Sequence, residues 1–349
     1  MLTDKTKSPR YHTIIRKAVI NFGLLLGSIL LFFFGIEITL RVTKIQTVAP
    51  NPPPIYRTNA NPSISYELKP NLDVKALRAK IVTNAQGFRS PPISEEEPLV
   101  AVLGDSVTFG YGLKNNETLP ARLQELLPGI QMLNAAVPGY NLTQEAATYE
   151  TKIAPLHPSI LVLVFYFNDF DFSIAWLDDL GILRAEGWKP HMQECEPVLD
   201  GILGLLPGKC WLDTHSAFYK FVKKLVITRT GVAETVLERT YSLQHPDEDP
   251  VTVAQLSRYR STLRKFASTL PNSLPRLFVI WPDNLMHAQS RPRLKEMAKE
   301  SGFSVVDLYE TFGNQMSMLS GDTVHPSKES VAKAAEVIAE AMRTTGIGQ

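Results

Sequence analysis

The amino-acid sequence predicts an α/β protein, a three-layer α/β/α sandwich built on a mostly parallel sheet and preceded by one N-terminal transmembrane helix. Three observations carry this reading. Residues 18–36, AVINFGLLLGSILLFFFGI, run for nineteen positions without a charge. From residue 99 onward, short apolar runs alternate with segments of helical periodicity. Polar, chemistry-bearing residues sit at the ends of those apolar runs, where an open parallel sheet keeps its site.

At 1.5 Å rise per residue the uncharged run nearly crosses the ~30 Å hydrocarbon core of a bilayer. Ile38, Leu40 and Val42 extend it past Glu37, which falls near the interface, and only Asn21 and Ser28 add polarity within it. A cleaved signal peptide fits less well, because its apolar region is shorter and no small-x-small site follows here. The first 45 residues hold seven basic side chains and two acidic ones, with five of the basic ones ahead of the run. That bias places the N-terminus in the cytoplasm and the body in a periplasm, the cell exterior or an equivalent lumen. The expected organisation is a basic tail over 1–17, the span over 18–42, a Pro-rich linker and lead-in over 43–98, and the main domain over 99–346, with an insertion at about 170–250.

With 44% hydrophobic and 20% charged residues the chain has enough apolar side chains for a core. Its net charge is +1, and with the basic N-terminal segment set aside the body is mildly acidic, so nucleic acid is not an expected partner. Cys195 and Cys210 are the two cysteines, too few for a disulfide framework or a four-cysteine zinc site. Outside the cytoplasm they either pair and close a short loop or stand as separate thiols.

After the span, residues 49–71 contain six prolines in 23 positions, which favours extended backbone and reads as a spacer. LVAVLG (99–104) is a buried-strand run. TLPARLQELLPG (118–129) is a helix with Leu119, Leu123, Leu126 and Leu127 on one face, stopped by Pro-Gly. QMLNAAVPG (131–139) is a strand running into a turn, and residues 141–156 form a helix capped by Asn141. SILVLVFYF (159–167) is apolar throughout, as the middle of a parallel sheet requires. A helix over about 252–269, a strand over 276–281, a helix near 288–300, a strand over 303–308 and a closing helix over 328–345 complete the pattern. Within the insertion, Trp176, Trp188 and Trp211 read either as a lid or as a small core of their own. Residues 215–229 place Phe218, Phe221, Val222, Leu225 and Val226 on one helical face flanked by lysines, suited to an ordinary surface or to a membrane surface.

Ser106 lies two residues beyond the first strand of the main domain, in VAVLGDSVTFGYG. A serine hydroxyl needs an adjacent base to act as a nucleophile, and on its own Gly-Asp-Ser also fits an N-cap serine. His325 is the candidate base. Asp322 stands three residues before it in SGDTVHPSKES, and in a tight turn the carboxylate reaches the imidazole. The remaining histidines show no acidic partner at a recognisable spacing. Gly139 ends the second strand and Asn168 the third, where a backbone N–H and a side-chain amide can face a developing oxyanion.

These blocks, Gly-Asp-Ser, Gly, Asn-Asp and Asp-x-x-His-Pro, occur in order over about 220 residues. The arrangement resembles the SGNH/GDSL hydrolase family, whose named Ser, Gly, Asn and His correspond to Ser106, Gly139, Asn168 and His325, with Asp322 completing a triad. The resemblance covers roughly 99–345 and implies a flavodoxin-like sandwich. NAQGFR (84–89) is similar to an element preceding the catalytic domain in membrane-anchored bacterial members. One departure is that Tyr166 occupies a position where the family often has glycine. Tyr166, Asp105 and Asp169 are expected to line the substrate pocket.

The resemblance implies a membrane-anchored ester hydrolase with a Ser106–His325–Asp322 triad, an oxyanion hole from Ser106, Gly139 and Asn168, and no metal or other cofactor. Its substrate would be an ester-bearing small molecule, lipid or envelope glycan, with the membrane as partner through the N-terminal helix. Two alternatives stay open: an O-acyltransferase acting on an envelope glycan through the same residues, and a catalytically silent glycan-binding or assembly protein. A metallophosphoesterase is disfavoured, because the chain has no upstream Asp-x-His and no Gly-Asn-His block. Acyl length and oligomeric state are not legible in the sequence.

Overall fold

The computed structural model of the protein describes residues 9–46, 48, 55–94, 96–179, 181–188, 206–245 and 248–344. In chain order its elements are α1 (Pro9–Val42), β1 (Tyr56–Thr58), β2 (Tyr66–Leu68), β3 (Asp73–Ala76), β4 (Ala79–Val82), β5 (Leu99–Leu103), α2 (Ser106–Phe109), α3 (Leu119–Leu126), β6 (Gln131–Asn134), α4 (Leu142–Thr148) and β7 (Ile160–Phe165). There follow β8 (Trp176–Leu177), β9 (Leu183–Arg184), α5 (Lys209–His215), α6 (Ala217–Gln244), α7 (Val253–Thr269), β10 (Arg276–Ile280), α8 (Ser290–Glu300), β11 (Ser304–Asp307), α9 (Tyr309–Phe312) and α10 (Lys328–Thr344). The chain divides into two compact units, Met1–Pro50 with Pro190–Ile227, and Asn51–Lys189 with Thr228–Gln349.

The larger unit is α/β. Its sheet has five parallel strands in the order β11-β10-β7-β5-β6. Period-2 alternation sends neighbouring side chains of each strand to opposite faces. Leu99, Ala101 and Leu103 of β5 join Leu161, Leu163 and Phe165 of β7 against Leu256, Tyr259, Leu263 and Phe266 of α7 and Leu294 and Met297 of α8. Val100 and Val102 join Val162 and Val164 on the other face, against Leu119 and Leu123 of α3 and Val331, Ala334, Ala335, Ile338 and Met342 of α10. The i, i+3, i+4 spacing along α10 is what presents those side chains as one apolar stripe. Both faces are covered, so β7 can be apolar along its whole length, and all six of its residues are buried.

Two expected features take a different form. The helix expected over 141–156 is α-helical only to Thr148, then relaxes into a π turn at Tyr149–Ile153 and a 3-10 turn at Ala154–Leu156. Pro155 has no N–H to carry the regular ladder further. The segment before residue 99 belongs to the larger unit from Asn51 onward and does not stand apart as a spacer. Ile55, Ile64, Tyr66, Leu68 and Ile81 form a third core with Phe109, Val137 and Tyr140. Tyr66 Oη donates to Pro138 O at 2.8 Å, Gln144 Nε2 to Ile64 O at 3.0 Å, and Tyr140 Oη to Tyr66 O.

In the smaller unit, Ile14–Val42 of α1 is long and apolar enough to cross a membrane, and no residue of its most apolar stretch is buried.

Candidate active site

The turn after β5 gives Ser106 its position. Gly104 has φ +153, and a Cβ there would collide with Thr108 Oγ1 and approach Val164 O to 3.2 Å, so only glycine passes this point. Asp105 caps α2, its Oδ1 accepting from Val107 N at 2.8 Å. Ser106 is the first residue of α2, and the chain leaves that turn through Gly110 in the left-handed conformation.

Ser106 meets His325 across the unit. Ser106 Oγ lies 3.0 Å from His325 Nε2, and His325 Nδ1 lies 3.1 and 3.0 Å from the two oxygens of Asp322. The loop before α10 shapes this pair. Asp322 Oδ1 also accepts from Val324 N at 3.0 Å and His325 N at 2.9 Å, and Leu319 N bonds back to His325 O at 2.9 Å. Burial alone would raise the Asp322 carboxyl, but the hydrogen bonds from His325 and Val324 outweigh it and hold the group well below the usual carboxylate range. An ionised Asp322 accepting from Nδ1–H leaves Nε2 able to accept the serine proton.

Topology brings the remaining motif residues to the same end of the sheet. In the strand order β5 lies between β6 and β7, so Ser106, Gly139 and Asn168 follow the carboxyl ends of three adjacent parallel strands. Val137 N donates to Gly104 O at 3.2 Å, holding the turn of Gly139 beside that of Ser106. Gly139 has φ +81, and a Cβ there would stand 2.8 Å from Tyr66 Oη. Gly139 and Asn168 are exposed, while Ser106, Asp322 and His325 are half-buried. Asn168 Nδ2 donates to Asp105 Oδ2 at 2.8 Å.

The three residues expected to line the pocket separate. Asp105 is buried at 2% exposure, its carboxyl raised by burial, and it faces Asn168 and the α2 N-terminus rather than open space. Asp169 is buried as well, beside Glu145. Burial pushes both carboxyls well above the ordinary range, with repulsion from Asp105 acting on both and from Glu145 on Asp169. Tyr166 is buried in the core against α3 and α10, and it lines a cavity of about 280 Å³ together with Gly231, Thr235, Asp283, Asn284 and Val324. Val324 adjoins His325, so the tyrosine stands on the wall of a space next to the relay.

Several residues around the site were not among the expected site residues. Arg78 sits at the tip of the β3–β4 hairpin, where Leu77 and Arg78 both have positive φ. Its guanidinium lies 3.4 Å from Asp322 Oδ2 and donates to Ser320 O at 2.7 Å. Tyr111 stacks on the His325 ring with centroids 4.1 Å apart. Arg89 of NAQGFR is buried, donating to Phe109 O, Gly110 O and Leu113 O, and so holds the loop that leaves α2. Desolvation lowers it to about 10.

His287, taken from the sequence to lack an acidic partner, has two. Its Nε2 lies 2.9 Å from Asp283 Oδ2 and its Nδ1 3.4 Å from Asp249 Oδ1. Burial would lower it, but the two carboxylates raise it above the usual histidine value. Asp283 is four residues upstream in the chain. Asp249 is supplied by the end of the insertion, and only the fold brings it there.

Trp176 and Trp188 pack edge-to-face in the β8–β9 hairpin, centroids 6.1 Å apart, and Arg184 lies over Trp188, so these two rings pack on each other. The pairing of Cys195 with Cys210 lies outside the described residues, which do not include Cys195. Among the described residues no cluster of three or more His, Cys, Asp or Glu side chains has metal-binding geometry.

No protein-family model and no curated protein sequence matches the chain. Among solved structures it is similar to TesA, with 14% identity over 70% of this chain and 98% of that one and a TM-score of 0.40. It is also similar to a putative lipolytic protein of the G-D-S-L family from Desulfitobacterium hafniense, with 13% identity over 70% and 99% of the chains and a TM-score of 0.38. The psychrotrophic esterase EstA from Pseudoalteromonas shows 10% identity over 71% and 98%, with a TM-score of 0.41.

Proposed function

We propose that this chain is a serine ester hydrolase of the SGNH/GDSL kind, anchored in a membrane by α1 with its larger unit outside the cytoplasm. The single observation that carries the catalytic reading is the hydrogen-bonded relay from Asp322 through His325 to Ser106, with 3.0 Å between His325 Nε2 and Ser106 Oγ. A capping serine has no use for such a relay, and neither does a silent binding protein.

His325 takes the Ser106 proton as Oγ attacks an ester carbonyl. The N–H groups of Ser106 and Gly139 and the Asn168 amide receive the oxyanion, each donor being worth about 3–4 kcal/mol of barrier. His325 then protonates the leaving alcohol, and water enters along the reverse path to release the acid. Anchoring rests on the length and apolarity of Ile14–Val42. Its orientation rests on the basic residues ahead of it.

The test compares wild type with Ser106→Ala on a short-chain aryl ester. The variant is expected to lose activity by about a thousand-fold or more, and equal rates would remove Ser106 from its role. Adding candidate sugar acceptors to the same assay separates hydrolysis, which gives free acid alone, from acyl transfer, which gives an acceptor-dependent product.

A further inference from the structure

Glu37 stands at the outer end of the apolar helix, a place where a carboxylate is costly unless it is paired. In the smaller unit it is the partner of a helix start 180 residues away. Its oxygens accept from Ser216 Oγ at 3.0 Å, Ala217 N at 2.8 Å and Phe218 N at 2.9 Å. Arg41 closes the arrangement, bonding Glu37 at 2.6 Å and His215 O at 2.6 Å. The first turn of a helix leaves backbone N–H groups without intrahelical partners, and its dipole favours an anion there. Where water is scarce, the carboxylate and the orphan N–H groups satisfy one another.

The contact continues inward along α1. Phe33, one turn deeper than Glu37, meets Phe218 with ring centroids 5.2 Å apart. Phe218, Phe221, Val222 and Leu225 follow the i, i+3, i+4, i+7 spacing, so Phe221 and Leu225, both exposed, share the stripe that touches the anchor. Trp211 on α5 is 62% exposed. Lys220 and Lys224 flank the stripe.

We propose that α5 and the first turns of α6, through Ile227, lie in the headgroup layer of the bilayer that α1 crosses, latched there by Glu37. The occupant of the exposed face is lipid, because the apolar stripe is continuous with the lipid-facing surface of the anchor at Phe33. Tryptophan belongs at that depth, its ring in the acyl boundary and its N–H toward water, and lysines reach the headgroups. The inference rests on the reading of Ile14–Val42 as a membrane span.

The test places the full chain in phosphatidylcholine–phosphatidylglycerol vesicles whose acyl chains carry bromine either near the headgroup or near the bilayer centre. Tryptophan emission is compared with that of Trp211→Phe. Wild type is expected to lose emission most with the shallow bromines, and Trp211→Phe to lack that loss. Glu37→Leu, which makes the anchor more apolar, is expected to abolish Trp211 quenching while the chain still floats with the vesicles. Equal quenching in wild type and Trp211→Phe overturns the interfacial placement, and unchanged quenching in Glu37→Leu overturns the latch. A chain that fails to float overturns the span itself and this inference with it.

Discussion

Asn168 donates to Asp105 at 2.8 Å, so the exposed amide at the end of β7 is aimed by a carboxylate buried behind the serine turn. One N–H of the amide is committed to Asp105, and the planar amide group then fixes the direction of the other. Asp105 is therefore a positioning residue, holding Asn168 and the start of α2 together.

If Asn168 is the oxyanion donor proposed above, replacing it with alanine is expected to lower kcat by about 10²–10³ with little change in KM. Asp105→Asn keeps the shape but replaces the carboxyl that accepts from Asn168 and Val107, and its kcat is expected to fall by a smaller factor. Steady-state kinetics on one activated ester reads both. A rise in KM at constant kcat would mean that these residues bind substrate instead of the oxyanion.

Arg78 reaches Asp322 from a hairpin in the segment ahead of the main sheet, 244 residues earlier in the chain. The guanidinium is 41% exposed, so its ion pair is screened and its contribution modest. Arg78→Ala is expected to lower kcat/KM several-fold, with the deficit shrinking as salt is added. A salt-independent loss would point to steric positioning by the hairpin tip instead of charge.

The buried pair Glu145 and Asp169 predicts the sign of a pH effect. Both carboxyls are raised, first by burial and then by repulsion from Asp105, Asp169 also by Glu145, and the Tyr259 hydroxyl lies nearby. Below the ordinary carboxylate range the folded and unfolded states are equally protonated, and the pair adds no pH dependence. As pH rises from there, the unfolded chain ionises first, and stability falls until the folded groups have ionised too. Asp322 acts in the opposite sense, its contribution being lost as pH falls below the ordinary carboxylate range. Thermal unfolding across pH is expected to show Glu145→Gln gaining on wild type at mildly alkaline pH. A parallel decline of the two would show that the pair does not titrate in this way.

The elements most legible in the sequence were those whose pattern is local. β7 is apolar from end to end and α10 is strictly periodic, and both formed where the pattern placed them. Ser106, Gly139, Asn168 and His325 were legible as strand-end or loop motifs in a fixed order, and Asp322 was legible through its spacing from His325. Arg78, Tyr111 and Asp249 were not, because each is brought to its partner by chain far away in sequence. Asp105 and Asp169 looked like pocket residues because they adjoin Ser106 and Asn168. Asp105 instead caps α2, and Asp169 lies in the turn Phe167–Phe170 with its side chain buried. Residues 49–71 read as a spacer from their prolines, yet from Ile55 onward their isoleucines and tyrosines pack with Phe109, Val137 and Tyr140, and Arg89 of the lead-in holds the loop beyond Ser106.

The central claim is that Ser106 is a nucleophile activated by His325. Treating the full chain in detergent with an active-site-directed fluorophosphonate, followed by peptide mass mapping, tests it most directly. One adduct is expected, on the peptide carrying Ser106, greatly slowed in His325→Ala and absent in Ser106→Ala. An adduct on another serine, or none on a folded chain, would contradict it.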